Sequence, residues 1–220
     1  MRLVKITALT VALGSAGAAH AAGVGLRAGT TGLGADIGWS VAPLVSARLG
    51  YSAYDHNTSV NTSDVHYDGK LKLRNLSALL DFTPVPGTFR LTAGIVGDNN
   101  KYDLTGQPTG GTFTLNGTTY QASQVGSLTG NVKPARSAAP YLGVGWGNVA
   151  GAGVNFYADL GIMFQGSPKA SLTATCGSGL SAGQCAQLQS DTAAQQQQLQ
   201  DKLKNFKYYP VANIGVTIGF

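Results

Sequence analysis

The sequence predicts an all-β fold, a transmembrane antiparallel up-and-down β-barrel of eight strands, and three observations carry that prediction. The first is alternation. Val154, Phe156, Ala158, Leu160, Ile162 and Phe164 interleave with Asn155, Tyr157, Asp159, Gly161, Met163 and Gln165. A period of two with one wholly apolar face describes a strand lying between two different media. The second is the lack of any run of 18 apolar residues after the N-terminal region, so no helix spans a bilayer and a membrane-resident chain must close a barrel. The third is connection length. Short links at Ala42-Pro43, Thr83–Gly87 and Gly147–Gly153 alternate with long ones, as when short turns lie on one side of a membrane and loops on the other.

The elements follow in chain order. Val24, Leu26 and Ala28 form an outward face opposite Gly25, Arg27 and Gly29. The phase then flips to Leu33, Ala35, Ile37 and Trp39, with Asp36 and Gly38 behind them. Such a flip needs a bulge or a tight turn, and Thr30-Thr31-Gly32 is read as a turn between strands one and two. Strand three sets Val45, Ala47, Leu49 and Tyr51 against Ser46, Arg48 and Gly50. Asp55 to Gly69 is polar, without clean alternation, and reads as a long loop. Strand four descends from Lys70 to Phe82, with Leu76, Ala78, Leu80 and Phe82 outward, Ser77 and Asp81 inward, and Leu79 breaking the inward pattern. Strand five sets Phe89, Leu91, Ala93 and Ile95 against Arg90, Thr92 and Gly94.

Asp98 to Lys133 reads as mainly irregular, with a hairpin turning at Asn116-Gly117. Strand six covers 138–147, and strand seven is the alternating stretch above, continued through Leu172. A Gln-rich helix over 184–205 follows, within the last long loop, and Ser181 with Gln184 supplies a capping box. Strand eight is Tyr208 to Phe220, with Tyr208, Ile214, Val216, Ile218 and Phe220 on its apolar face.

Residues 1–21 read as a secretory signal: Arg2 and Lys5, an apolar run from Ile6 to Ala18, and the small-x-small site Ala19-His20-Ala21. The barrel domain is then 22–220. Charged residues make up 11% of the chain, as suits a wall facing lipid, and every acid is Asp. Removing Arg2 and Lys5 from 15 basic residues leaves 13 against 10 acidic, a balance of +3, too mild and dispersed for nucleic acid. Cys176 and Cys185, close together in an exported chain, are expected to form a disulfide; they supply too few ligands for a metal, and no cofactor is expected.

With the apolar faces turned to lipid, Arg27, Asp36, Arg48, Asp81, Arg90 and Asp159 point inward. An eight-strand interior is only wide enough for side chains, so these charges are expected to pair and plug the lumen, with a gated small channel as the alternative. A water-soluble lipocalin-like barrel is the rival fold, and it would turn the apolar residues inward and set Arg27, Arg48 and Asp159 on the surface.

The signal, the alternating strands and the terminal Phe220 together resemble the small eight-stranded bacterial outer-membrane proteins: the OmpA transmembrane domain, OmpX and the opacity-type surface proteins. Unlike OmpA, this sequence has no peptidoglycan-binding domain after the barrel. The resemblance implies an integral outer-membrane protein of a Gram-negative envelope, monomeric, with a structural, surface-interaction or porin-like role. It also implies contact with the barrel-assembly machinery through the C-terminal strand, and with outer-membrane lipid and lipopolysaccharide. Lys70, Lys72 and Arg74 are candidates for gripping lipopolysaccharide phosphates through charge-assisted hydrogen bonds. Lipid A deacylase barrels are similar in size but use His, Ser and Glu, and this chain has no Glu. Omptin-type proteases need a larger barrel. His56 and His66 read as solvated loop residues, and the chain is expected not to be an enzyme.

Overall fold

The computed structural model describes residues 21–61, 65–85, 89–108, 110–121 and 124–220. The expected signal segment lies outside them except for Ala21. The described chain is all-β with one helix. Its strands are β1 (Ala22–Gly29), β2 (Gly32–Ala42), β3 (Val45–Asn61), β4 (Val65–Val85), β5 (Phe89–Asp98), β6 (Lys101–Pro108), β7 (Thr112–Leu115), β8 (Thr118–Gln121), β9 (Val125–Lys133), β10 (Ala138–Trp146), β11 (Gly153–Met163), β12 (Lys169–Cys176) and β13 (Tyr209–Gly219). Helix α1 (Ala182–Leu203) lies between β12 and β13.

Every pairing is antiparallel. β1 pairs with β2, β2 with β3, β3 with β4, and β4 with β5. β5 pairs with β10, β10 with β11, β11 with β13, and β13 returns to β1. The seam is fastened at its lower end by reciprocal backbone bonds between Ala22 and Phe220, at 3.0 and 2.8 Å. A sheet that returns to its first strand leaves no free edge there.

Alternation sets the faces. Leu26, Leu33, Leu76, Val154, Phe156, Ile214 and Ile218 are all exposed, Phe156 at 78%, whereas Arg48 on the opposite face is 1% exposed. That distribution is the reverse of a lipocalin-like barrel, which buries its apolar face. No helix among the described residues is long and apolar enough to cross a membrane.

The expected turn at Thr30-Thr31 separates β1 from β2, so 22–42 is two strands. Asn116 and Gly117 both take positive φ (48° and 84°) in the hairpin joining β7 and β8, the geometry a two-residue primed turn requires. Several other expectations need correction. Asp55 to Gly69 is no loop: β3 and β4 stay paired out to Asn61 and His66, and β4 has 21 residues where a spanning strand needs about 10. The stretch from Asp98 to Lys133 is largely strand. β6 pairs with the upper half of β4, β9 with β6, and β12 with β9, building an upper sheet on the protruding hairpin, beyond the closed ring. The seventh expected strand does not run on to Leu172: it ends at Met163, Gly166 turns at φ +73°, and β12 is a separate strand.

The helix spans 182–203, displaced by two residues from its expected bounds. Ser181 accepts from the Gln184 amide while the Gln184 side chain accepts from the Ser181 amide, the expected capping box. A disulfide between Cys176 and Cys185 ties the end of β12 to its first turn. The free edge of β12 would otherwise offer bare N–H groups to another chain. Instead the Ala170 and Leu172 amides donate to the side chains of Gln200 and Gln196, at 3.0 and 2.8 Å. Glutamines four apart share one helix face, which gives the Gln-rich stretch a physical purpose.

Candidate functional site

Two regions hold the chemistry: the bore of the closed sheet, and the outer face of the upper sheet beyond it.

The bore is shut at three levels. At the end where the short turns lie, the link between β10 and β11 folds inward, leaving Val149 and Ala150 3% exposed. The Val149 carbonyl sits where a side chain on Gly23 would go, and the Thr217 hydroxyl donates to the Asn148 carbonyl at 3.3 Å. Next come the charges. Arg27 pairs with Asp36 at 2.7 Å. Arg48 pairs with Asp159 at 2.6 Å and with Asp81 at 3.3 Å, and Arg90 pairs with the same two acids at 2.5 and 3.5 Å. All six residues are at most 6% exposed. The register explains the meeting: each takes the bore-facing parity of a different strand, and three arginines against three aspartates leave this layer neutral. Gly50 leaves the space that the Asp36 carboxylate fills, since an added methyl there would lie 2.0 Å from its oxygen.

Tyr157 joins the two halves of the cluster. Its hydroxyl donates to Asp36, and the Arg48 and Arg90 guanidinium carbons lie 5.6 and 5.4 Å from its ring centre. Sequence reasoning placed this side chain inward but gave it no role. An inward aromatic beside acids and arginines was the available signal.

Above the charges is an apolar layer of Leu79, Val96, Ala139, Tyr141, Met163 and Val211. Leu79, the apparent break in the inward pattern of its strand, belongs to this layer. A cavity of about 20 Å³ remains among bore residues including Arg27, Leu79, Tyr141 and Met163, room for one water. At the mouth sit Asn75, Asn100 and Asp98, the last an inward acid that sequence reasoning left among loop residues. Asn75 donates to the Asn100 side chain at 3.0 Å and to the Thr31 carbonyl at 3.1 Å.

Lys70, Lys72 and Arg74 fall on one face of β4, but their surroundings differ. Arg74 is held by Asp55 at 2.6 Å, Lys70 lies opposite Asp103, and Lys72 lies opposite Asp55 on one side and Lys101 on the other. His56 and His66 are strand residues, not loop residues. The His66 ring nitrogen is 3.3 Å from Asp68, whose other oxygen accepts from Ser59 at 2.7 Å. With the acid between the hydroxyl and the imidazole, that order does not set a histidine to take the serine proton. Among the described residues no cluster of three or more His, Cys or Asp could hold a metal ion.

No protein-family model matches the sequence, and no curated protein matches it either. Among solved structures, Acinetobacter baumannii CarO2 superposes with a TM-score of 0.59 and 25% identity, over 91% of this chain and 98% of that one. Acinetobacter baumannii CarO gives 0.57 and 23%, over 90% and 97%. A major outer membrane protein from Thermus thermophilus aligns at 0.41 and 15%, over 92% and 100%. By its likeness to the CarO2 and CarO structures the chain has the fold of an outer-membrane β-barrel. The narrower resemblance to OmpA, OmpX and the opacity-type proteins stays a resemblance.

Proposed function

We propose that the ring of eight strands sits in a bacterial outer membrane as a monomeric barrel whose lumen does not conduct. On this reading its role is structural or interactional, non-enzymatic, and carried by the extracellular sheet and its helix, with outer-membrane lipid and lipopolysaccharide as partners. The observation that carries the reading is the paired charge layer in the bore, roofed by apolar side chains and floored by the inward turn. Opening a path would separate buried ion pairs, each worth about 3–5 kcal/mol when one partner is lost.

Planar-bilayer conductance of the refolded protein, first shown to migrate heat-modifiably on a gel, tests this. The expected result is silence above the lipid background. Steady single-channel steps would overturn the closed reading and favour passive passage of small solutes. A chain that folds in water and rejects detergent would overturn the membrane reading itself.

A further inference from the structure

The pairing register of the extracellular sheet sets four lysines in one row. Lys72 on β4 lies opposite Lys101 on β6. Tyr102 lies opposite Val132, which puts Lys101 beside Lys133 on β9. Lys133 lies opposite Lys169 on β12. Residues opposite one another share a face, so the row crosses four strands on one side of the sheet, over about 14 Å at the ordinary inter-strand spacing.

Like charges directly opposite one another destabilise a sheet, and nearby acids answer only part of this row. Asp103 is 3.2 Å from Lys101 and also takes the Asn131 side-chain amide. Asp55, opposite Lys72, is taken by Arg74 at 2.6 Å. Among the described residues no carboxylate lies within 4 Å of the Lys72, Lys133 or Lys169 ammonium.

The row lies at the foot of the sheet. Four residues from Lys72 along the same face of β4 is Leu76, 60% exposed on the apolar wall. Lys101, Lys133 and Lys169 line one crevice of about 490 Å³ with Asn99 and Ser137, where β5 and β10 leave the barrel. Asp98 is the acid of that lining and is itself 1% exposed. On the barrel wall, Ile95 of β5 and Leu142 of β10 stand exposed. Unanswered cations above an apolar wall match a molecule with an anionic head and hydrocarbon tails.

We propose that the lysine row is a binding site for the phosphate groups of an acylated outer-leaflet lipid, whose chains lie against the wall below. This rests on the barrel reading above and moves the phosphate contact from Lys70, Lys72 and Arg74 to a site centred on Lys101, Lys133 and Lys169. Charge-assisted hydrogen bonds from the ammonium groups hold the phosphate and relieve the repulsion along the row.

The test mixes detergent-refolded, heat-modifiable protein with bisphosphorylated lipid A, with the same lipid stripped of phosphate, and with inorganic phosphate. Bound molecules are counted by native mass spectrometry. Lipid A is expected to be retained at least about ten-fold better than its dephosphorylated form, and K101Q/K133Q/K169Q to lose about that factor. K202Q, at the end of α1, should change nothing. A second variant, K133E, places an acid between Lys101 and Lys169. Opposite charges across strands stabilise a sheet, so its melting temperature should hold or rise while lipid A binding falls. A purely structural role would move both together.

Equal retention of the dephosphorylated lipid, or unchanged binding by the triple variant, would overturn the proposal. So would displacement of lipid A by inorganic phosphate at equal concentration, since the site would then take the free anion. A chain that does not fold in detergent overturns the barrel and this site together. A folded barrel indifferent to lipid A overturns this site alone.

Discussion

On the proposed membrane placement, one face of β4 passes through two media. Phe82, Leu80 and Leu76 stand on it exposed and apolar, and from Arg74 to Lys70 the same face carries only cations. On the other face, Asp81 and Ser77 belong to the bore, while Leu73 and Leu71 line an apolar cavity of about 700 Å³ beneath the upper sheet. The backbone keeps its parity throughout, and what reverses is where charge can reside. Beside lipid the only polar region is the bore, so charges enter it and must pair. Above lipid the outer face meets water, so charges leave the interior and pairing becomes optional.

That contrast is broken most severely by removing one cation from each region. Arg48→Met removes one of the two arginines that Asp81 and Asp159 share in a dry interior, and the expected loss of barrel stability is about 3–5 kcal/mol. Lys72→Met removes a cation of the same strand pair in water and should cost less than about 1 kcal/mol. Urea unfolding from lipid vesicles measures both. Equal costs would mean that the bore is hydrated and its ion pairs are surface pairs.

The same contrast explains what could be read from the sequence. Where one face meets lipid and the other a narrow bore, alternation is strict: Val154–Met163 declares both the strand and its inward Asp159, and Tyr209–Gly219 declares the strand. Above the membrane that constraint lapses. Asp55–Asn61 is polar on both faces but for Val60, and in Lys101–Pro108 only Tyr102 and Leu104 face away from Lys101, Asp103, Thr105 and Gln107 before Gly106 and Pro108 break the pattern, so real strands look like loops. The four-lysine row is likewise invisible along the chain, because it exists only across the register of four strands. Tyr157 was legible as inward, but its part as hub depends on Asp36 from 121 residues away.

A milder change sharpens the comparison at the sheet's edges. The closed ring has no edge to protect, while the upper sheet ends at β12 and relies on Gln196 and Gln200. In Q196A/Q200A, two strand amides lose their acceptors, at about 0.5–1.5 kcal/mol each. The Ala170 and Leu172 amides should then exchange faster with solvent, while those of β11 and β13 stay protected. Unchanged exchange at Ala170 and Leu172 would mean that the helix merely lies near that edge.

The smallest expected effect concerns pH, and it again separates the two regions. Asp191 on α1 accepts from the Tyr120 hydroxyl at 2.6 Å and from the Asn116 and Gln187 side chains at 3.3 and 3.2 Å, pinning the β7–β8 hairpin to the helix. The Tyr120 hydrogen bond, with those of its neighbours, holds this carboxyl down to about 2. A carboxyl lowered by folding stabilises the docked state fully above the ordinary carboxylate range, and that contribution fades as pH falls toward about 2. Acidification from about pH 5 should therefore speed exchange of the amides from Asn116 to Tyr120, and Asp191→Asn should remove that pH dependence. Because α1 lies outside the ring of strands, heat-modifiable migration should persist through the same titration in both proteins. Loss of the barrel in step with the hairpin would show instead that the two regions fold as one unit.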